Sequence, residues 1–196
     1  MAQKTWIATA GGNWTTAANW TGGLPGISDD ALIQSGAVAP YTLLLNSNVT
    51  TNSVTLNDAQ ATLDITPAGL VGLTTGTFDL VAGTLRIDST ASLANATILM
   101  DGGATNFQNG LLSNVTIRGA TTIGSGNNLH FANHIGFSSL NGIGRGSLTL
   151  VGGTSHMYAD DNETLTNVDL TFGNGAQLGE SGGGTLTLAS DMTLTC

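Results

Sequence analysis

The densest group of hard oxygen donors in the chain is Asp160-Asp161-Asn162-Glu163. Calcium takes about six to eight oxygens at roughly 2.3–2.6 Å, and the carboxylates of Asp160, Asp161 and Glu163 could supply part of that shell. This run is the candidate metal loop, with calcium its one candidate ion; a solvated loop is the competing reading. Asp29-Asp30 precedes the apolar Ala31-Leu32-Ile33 and reads as a turn or cap. His130 and His134 stand four apart, but strand-like text does not bring such a pair together as a helix would, and His156 is distant. The single cysteine, Cys196, allows neither an internal disulfide nor a cysteine metal site.

Catalytic chemistry finds little to work with. Cleaving a polysaccharide calls for a cation acting as base or charge stabiliser, or for two carboxylates about 5–9.5 Å apart in a cleft. The cations are Lys4, Arg86, Arg118 and Arg145, and the strand carboxylates Asp64, Asp79 and Asp169 are scattered. Gly142-Ile143-Gly144-Arg145-Gly146 lacks the Lys-Ser/Thr ending and the following helix of a phosphate-cradling loop. The sequence therefore predicts no catalytic residue and no cofactor-binding residue, and no cofactor other than calcium at the acidic run.

Composition narrows the partners. Among 196 residues, 4 Lys and Arg face 13 Asp and Glu, a net charge of −9. That leaves no basic footprint for nucleic acid or for an anionic membrane surface. Charged residues make up 9%, against about 25% in ordinary domains. No apolar run reaches the roughly 18 residues of a membrane span, and the opening residues lack a signal-peptide pattern, so no membrane insertion is expected.

The elements that must position these residues are short strands. An apolar–polar–apolar triplet recurs as Val54-Thr55-Leu56, Leu63-Asp64-Ile65, Phe78-Asp79-Leu80, Leu85-Arg86-Ile87, Val115-Thr116-Ile117, Leu129-His130-Phe131, Leu148-Thr149-Leu150 and Leu186-Thr187-Leu188, among others. Alternation puts the flanking residues on one face and the middle one on the other. The expected outward set, with Thr55, Asp64, Asp79, Arg86, His130 and Asp169, is too mixed for an ice-binding face. Gly- and Asn-rich clusters between triplets supply corners. Leu63–Ile65 is echoed by Leu85–Ile87 after 22 residues, with further triplets between. About three short strands per coil of about twenty residues is the signature of a parallel β-solenoid. If those two triplets stack, Asp64 and Arg86 form a surface ion pair. An antiparallel β-sandwich is the structural alternative.

Leu93-Ala94-Asn95-Ala96-Thr97-Ile98 recurs as Leu112-Ser113-Asn114-Val115-Thr116-Ile117 and as Leu165-Thr166-Asn167-Val168-Asp169-Leu170. Asn95, Asn114 and Asn167 are the candidate asparagine ladder, stacked at one corner and exchanging amide hydrogen bonds. Trp6, Trp14 and Trp20 cluster in the opening segment, where they would plug the mouth of the coil; an aromatic sugar platform is the other reading. The division expected is a capping segment, 1–40, and coils, 41–196, with the last strand-like text breaking off in mid-pattern as in a fragment.

The run Gly12-Asn13-Trp14-Thr15-Thr16-Ala17-Ala18-Asn19-Trp20, then Gly22-Gly23-Leu24-Pro25-Gly26 and Asp29-Asp30-Ala31-Leu32-Ile33, resembles the N-terminal opening of large bacterial secreted and autotransporter-type surface proteins. Gly110–Ile117 and Gly184–Leu188 resemble their repetitive passenger regions. The resemblance implies a right-handed, single-stranded parallel β-helix in an extracellular or cell-surface protein, with a structural or adhesive role and no catalytic residue carried over. Its partners would be other copies of itself, the rest of a parent protein, or host or biofilm glycans. A carbohydrate-binding or polysaccharide-cleaving β-helix is the alternative. The Gly-Gly-x-Gly-x-Asp repeat of calcium-driven rolls is absent.

Overall fold

Leu63 and Ile65 lie one coil below Leu85 and Ile87, in parallel register, and all four side chains are fully buried. Alternation and recurrence produce this together: every second residue points inward, and the chain returns to the same place after about twenty residues. In the computed structural model, which describes residues 1–66 and 71–196, 61% of the chain is strand and 2% helix, wound as a parallel β-solenoid of about seven turns. Every ladder between strands is parallel among the described residues, which is incompatible with an antiparallel sandwich.

Each coil visits three faces. One coil takes residues 71–75 along the first face, 77–80 along the second and 84–88 along the third; the next takes 91–94, 97–100 and 104–107. Inward residues stack into columns. Leu73, Leu93, Leu112, Phe131 and Ala159 form one on the first face. The second face stacks Ala31, Val54, Phe78, Ile98, Ile117 and Phe137. On the third, Leu45, Ile65, Ile87 and Phe107 follow one another. All are buried. Each Leu, Ile, Val or Phe so enclosed contributes about 1.5–3 kcal/mol relative to exposure, and none could be enclosed by its own coil alone.

The strands are longer than the triplets suggest. Val49–Ile65 and Val71–Asp88 run 17 and 18 residues, carrying the ladder around corners instead of stopping at them. Within Val71–Asp88 the chain turns at Gly83 (φ 86°), and in later coils Asn95, Asn109, Asn114, Asn133 and Asn167 have φ between 54° and 61°, a region that asparagine tolerates better than most residues.

The N-terminal end is closed. Trp6 stacks one rung beyond Ile33, while the Trp14 N–H donates to Leu44 O (2.8 Å), beyond the third-face column. Trp20 meets both rings edge-on, at centroid distances of 5.2 and 4.7 Å, and its indole N–H donates to Trp14 O. All three indoles are buried. Residues 19–21 fold back across Gln3–Trp6 and occupy Ile7 N and Thr5 O, so that edge is blocked. Within 1–40, Gln3–Trp6 and Asp30–Ile33 already belong to the same parallel sheet as Val49–Ile65. At the other end, Gln177–Glu180, Leu186–Leu188 and Thr193–Thr195 each pair on one side only, and Leu188 and Leu194 are exposed.

Candidate functional site

The acidic run lies at a corner between the first and second faces, where it is divided. Asp160 Oδ1 lies 2.7 Å from His130 Nδ1 and also accepts the Ser181 hydroxyl. Asp161 Oδ2 accepts the Asn133 N–H (2.9 Å), and Glu163 Oε1 accepts the His134 N–H (2.6 Å). Those two N–H groups belong to a bulge: Asn133 and His134 together oppose the single Asn114 of the coil below, between the Ala132–Ser113 and Ile135–Val115 pairs. A bulge strands backbone donors, and the carboxylates of Asp161 and Glu163 satisfy them. Burial pushes the Glu163 carboxyl above its ordinary range, and the neighbouring Asp161 adds to this against the His134 hydrogen bond. Among the described residues no group of three or more His, Cys, Asp or Glu converges as a metal ion would require.

Asp160 turns instead onto the outer first face, into a small grid. Three coils align Asn128–His130, His156–Tyr158–Asp160 and Gln177–Gly179–Ser181 in register. Tyr158 sits at the centre. His130 stands over it at a centroid distance of 5.4 Å, and His156 meets it edge-on at 5.5 Å. An ionised Asp160 accepts the Nδ1–H of His130, which leaves Nε2 as the ring's free nitrogen. Ser181 bonds to the aspartate and not to the imidazole, so the three do not make a nucleophile–base–acid relay. His134, expected with His130 as an isolated histidine, belongs to the bulge. His156 and Tyr158 share a face as alternate residues of one strand, but the approach of His130 to Tyr158 was invisible in one dimension: it arises because residues 130 and 158 share a register.

The asparagines split as well. Asn114 Nδ2 donates to Asn95 Oδ1 at 2.9 Å, 19 residues away and one coil below. Asn167 stands elsewhere, at a corner leading into the third face, where its Nδ2 donates to Phe137 O and Gly144 O. It is not a member of that ladder, because the shared pattern encodes a left-handed corner and any corner of the coil can use it. Asn133, a further 19 residues beyond Asn114, continues the corner but bonds Ser113 Oγ across the bulge. A second amide pair, Asn128 to Asn109 (2.6 Å), has no counterpart in the sequence reading.

The expected surface ion pair forms, with a correction. Arg86 Nη1 lies 3.4 Å from Asp64 Oδ2, yet only 7% of the Asp64 side chain is exposed. Asp64 occupies the outer row between Leu44 and Arg86, and long neighbours at coil spacing shade it. Its carboxyl is pushed upward by burial, against the attraction of Arg86. Arg86 is also held by Asp88 (2.8 and 3.2 Å) and Gln108 (3.0 Å). Asp79 lies on the second face, its carboxyl likewise pushed up by burial and then by Asp101. Asp169, on the third, pairs with Arg145 at 3.1 Å. The three strand carboxylates thus lie on two different faces. Asp29 caps a turn by accepting Gly26 N–H (3.1 Å), and Asp30 accepts Ser53 Oγ and Asn52 Nδ2 (both 2.6 Å), which lowers its carboxyl. Asp58, not singled out by the sequence, ties Ser35, Tyr41 and Gln60 together; burial raises it but these bonds prevail and lower it, while burial pushes the Tyr41 phenol up to about 12.

The chain matches no protein-family model, no curated protein and no solved structure. Among the described residues, no helix is long and apolar enough to cross a membrane.

Proposed function

We propose that this β-solenoid is a structural module of a bacterial surface or secreted protein, working outside the cell as a rigid scaffold for adhesion and self-association. The observation that carries the reading is the stack of about seven parallel coils on continuous buried columns, which makes the chain a rigid repeat scaffold. The N-terminal edge is covered by residues 19–21 and sealed by tryptophans. The C-terminal coil offers three strands with unpaired edges and the exposed Leu188 and Leu194. Unpaired edges of this kind template pairing with another chain. With the N-terminal edge covered, further coils, of a parent chain or of a second copy, add at the opposite edge. Along the rod, individually weak polar contacts repeated coil after coil would sum by multivalency. The low lysine content and the abundance of Thr, Asn and Gly fit an exported surface protein.

Sedimentation velocity over a hundredfold range of concentration tests the association. A monomer–dimer shift that Leu188→Lys with Leu194→Lys abolishes supports the reading. A strict monomer at the highest concentration overturns it.

A further inference from the structure

The chain has three tryptophans, two tyrosines and five phenylalanines, ten aromatic residues in all. The tryptophans, Tyr41, Phe78, Phe107, Phe131 and Phe137 are buried, and Phe172 packs inward against the core. Tyr158 alone faces outward. It is flanked along the solenoid axis by His130 on one side and, in the same register, by Gly179 on the other. Glycine leaves the place beside the Tyr158 ring vacant. A Cβ added at Gly179 would lie 3.8 Å from Tyr158 Cδ1 and Cε1, an ordinary contact, and its φ is not in the left-handed region. Neither strain nor crowding dictates glycine here, unlike at Gly83 or Gly110, where a Cβ would come within 2.7 Å of backbone oxygens.

We propose that this vacancy is a saccharide-binding subsite, in which a neutral hexopyranose ring lies over Gly179 and stacks on Tyr158 as the next member of the His130–Tyr158 column. Neighbouring coils sit about 4.8 Å apart, and that spacing suits a ring stacked face to face on an aromatic. The rim suits hydroxyl groups. Among the described residues, the Tyr158 hydroxyl, the His156 ring nitrogens and the Gln177 amide have no hydrogen-bond partner, and Gly179 is flanked by Gln177 on its own strand and by Ser181 just beyond the strand's end. An apolar ring face rimmed by unused polar groups matches a pyranose, which presents C–H bonds on its faces and hydroxyls around its edge. Charge selects among glycans. Asp160 is already bonded to His130 and Ser181, and the chain carries −9, so a uronate or sulfated sugar is repelled. The site lies on the flank of the rod and is independent of association through its end.

Titration of the full chain with neutral hexaoses of glucose, mannose and galactose, followed by calorimetry and by NMR shifts of Tyr158 and the histidines, tests this. At least one neutral oligosaccharide should bind and shift Tyr158, His130 and His156. Tyr158→Ala should weaken it at least tenfold. Gly179→Leu, which fills the vacancy without disturbing the backbone, should do the same while leaving the thermal midpoint unchanged; Thr149→Ala, on another face, should have no effect. No binding of any neutral hexaose at millimolar concentration overturns the proposal. Binding that survives both Tyr158→Ala and Gly179→Leu, or preference for oligogalacturonate over every neutral sugar, overturns it equally.

Discussion

Truncating the stacked pair Ile65 and Ile87 gives a quantitative expectation. Both side chains are fully buried and occupy successive positions of one column. Ile→Ala in such a site costs about 2–5 kcal/mol, from lost transfer energy and the cavity left behind. If the two cavities adjoin, the second truncation enlarges a void that already exists and removes a contact already lost. The double variant should then be less destabilised than the sum of the singles, with a coupling of about 0.5–3 kcal/mol. Leu170, buried several coils further on, provides the control: Ile65→Ala with Leu170→Ala should be additive to within about 0.5 kcal/mol. Equilibrium urea unfolding of the four Ile65/Ile87 chains and the Leu170 set reads these energies directly, provided the urea dependence is the same in all. An Ile65/Ile87 pair as additive as the control refutes the stacking argument, since residues in contact do not behave independently.

Further consequences follow from the ends, the corners and the buried acids. Trp20→Ala should cost about 3–5 kcal/mol and shift the fluorescence of Trp6 and Trp14 to the red; unchanged emission would show that the lid does not seal the core. At Asn95, with φ of 54°, alanine should be more destabilising than glycine, because only alanine incurs the roughly 1–2 kcal/mol of a left-handed backbone while both lose the bond from Asn114; the reverse order in thermal melts would contradict the corner assignment. Asp79 has a raised carboxyl pKa in the folded chain, so its neutral form is the one folding favours: that contribution is complete below the ordinary carboxylate range and is lost as pH rises through the folded value. Asp79→Asn should therefore raise the thermal midpoint at pH 7 and have little effect near pH 3. A benefit confined to low pH would be inconsistent with burial of the carboxylate.

The sequence was most informative where the physics is periodic. Alternation in Leu63–Ile65 and Leu85–Ile87 specified inward faces, and their spacing specified the coil, because nothing but recurrence is needed for one apolar set to cover another. It was least informative where the third dimension chooses among equivalent options. The Leu-x-Asn pattern identified a left-handed corner in Asn95, Asn114 and Asn167 alike, but which corner Asn167 turns depends on the length of chain that precedes it. Asp64 points away from the core and is nevertheless shaded, since exposure on an outer row is set by the neighbours one coil above and below. The acidic run looked like a ligand set, but Asp161 and Glu163 hold a bulge while Asp160 faces His130 and Ser181; the bulge arises from one extra residue relative to the coil below and leaves no mark in the local composition. Tyr158 attracted no attention in the sequence, because its distinction lies in having Gly179 beside it across the register.

Cross-linking between coils tests the winding itself most directly. Residues 62 and 84 share a register in the parallel ladder through Leu63–Leu85, and adjacent strands about 4.8 Å apart lie within the roughly 4.4–6.8 Å span of a disulfide between α-carbons. In a chain carrying Cys196→Ser, Thr62→Cys with Thr84→Cys should oxidise readily to an intramolecular disulfide, and Thr62→Cys with Asp88→Cys should remain reduced. An antiparallel pairing centred on Asp64 and Arg86 would place residue 62 opposite residue 88 instead, so oxidation of the second pair but not the first would contradict the solenoid.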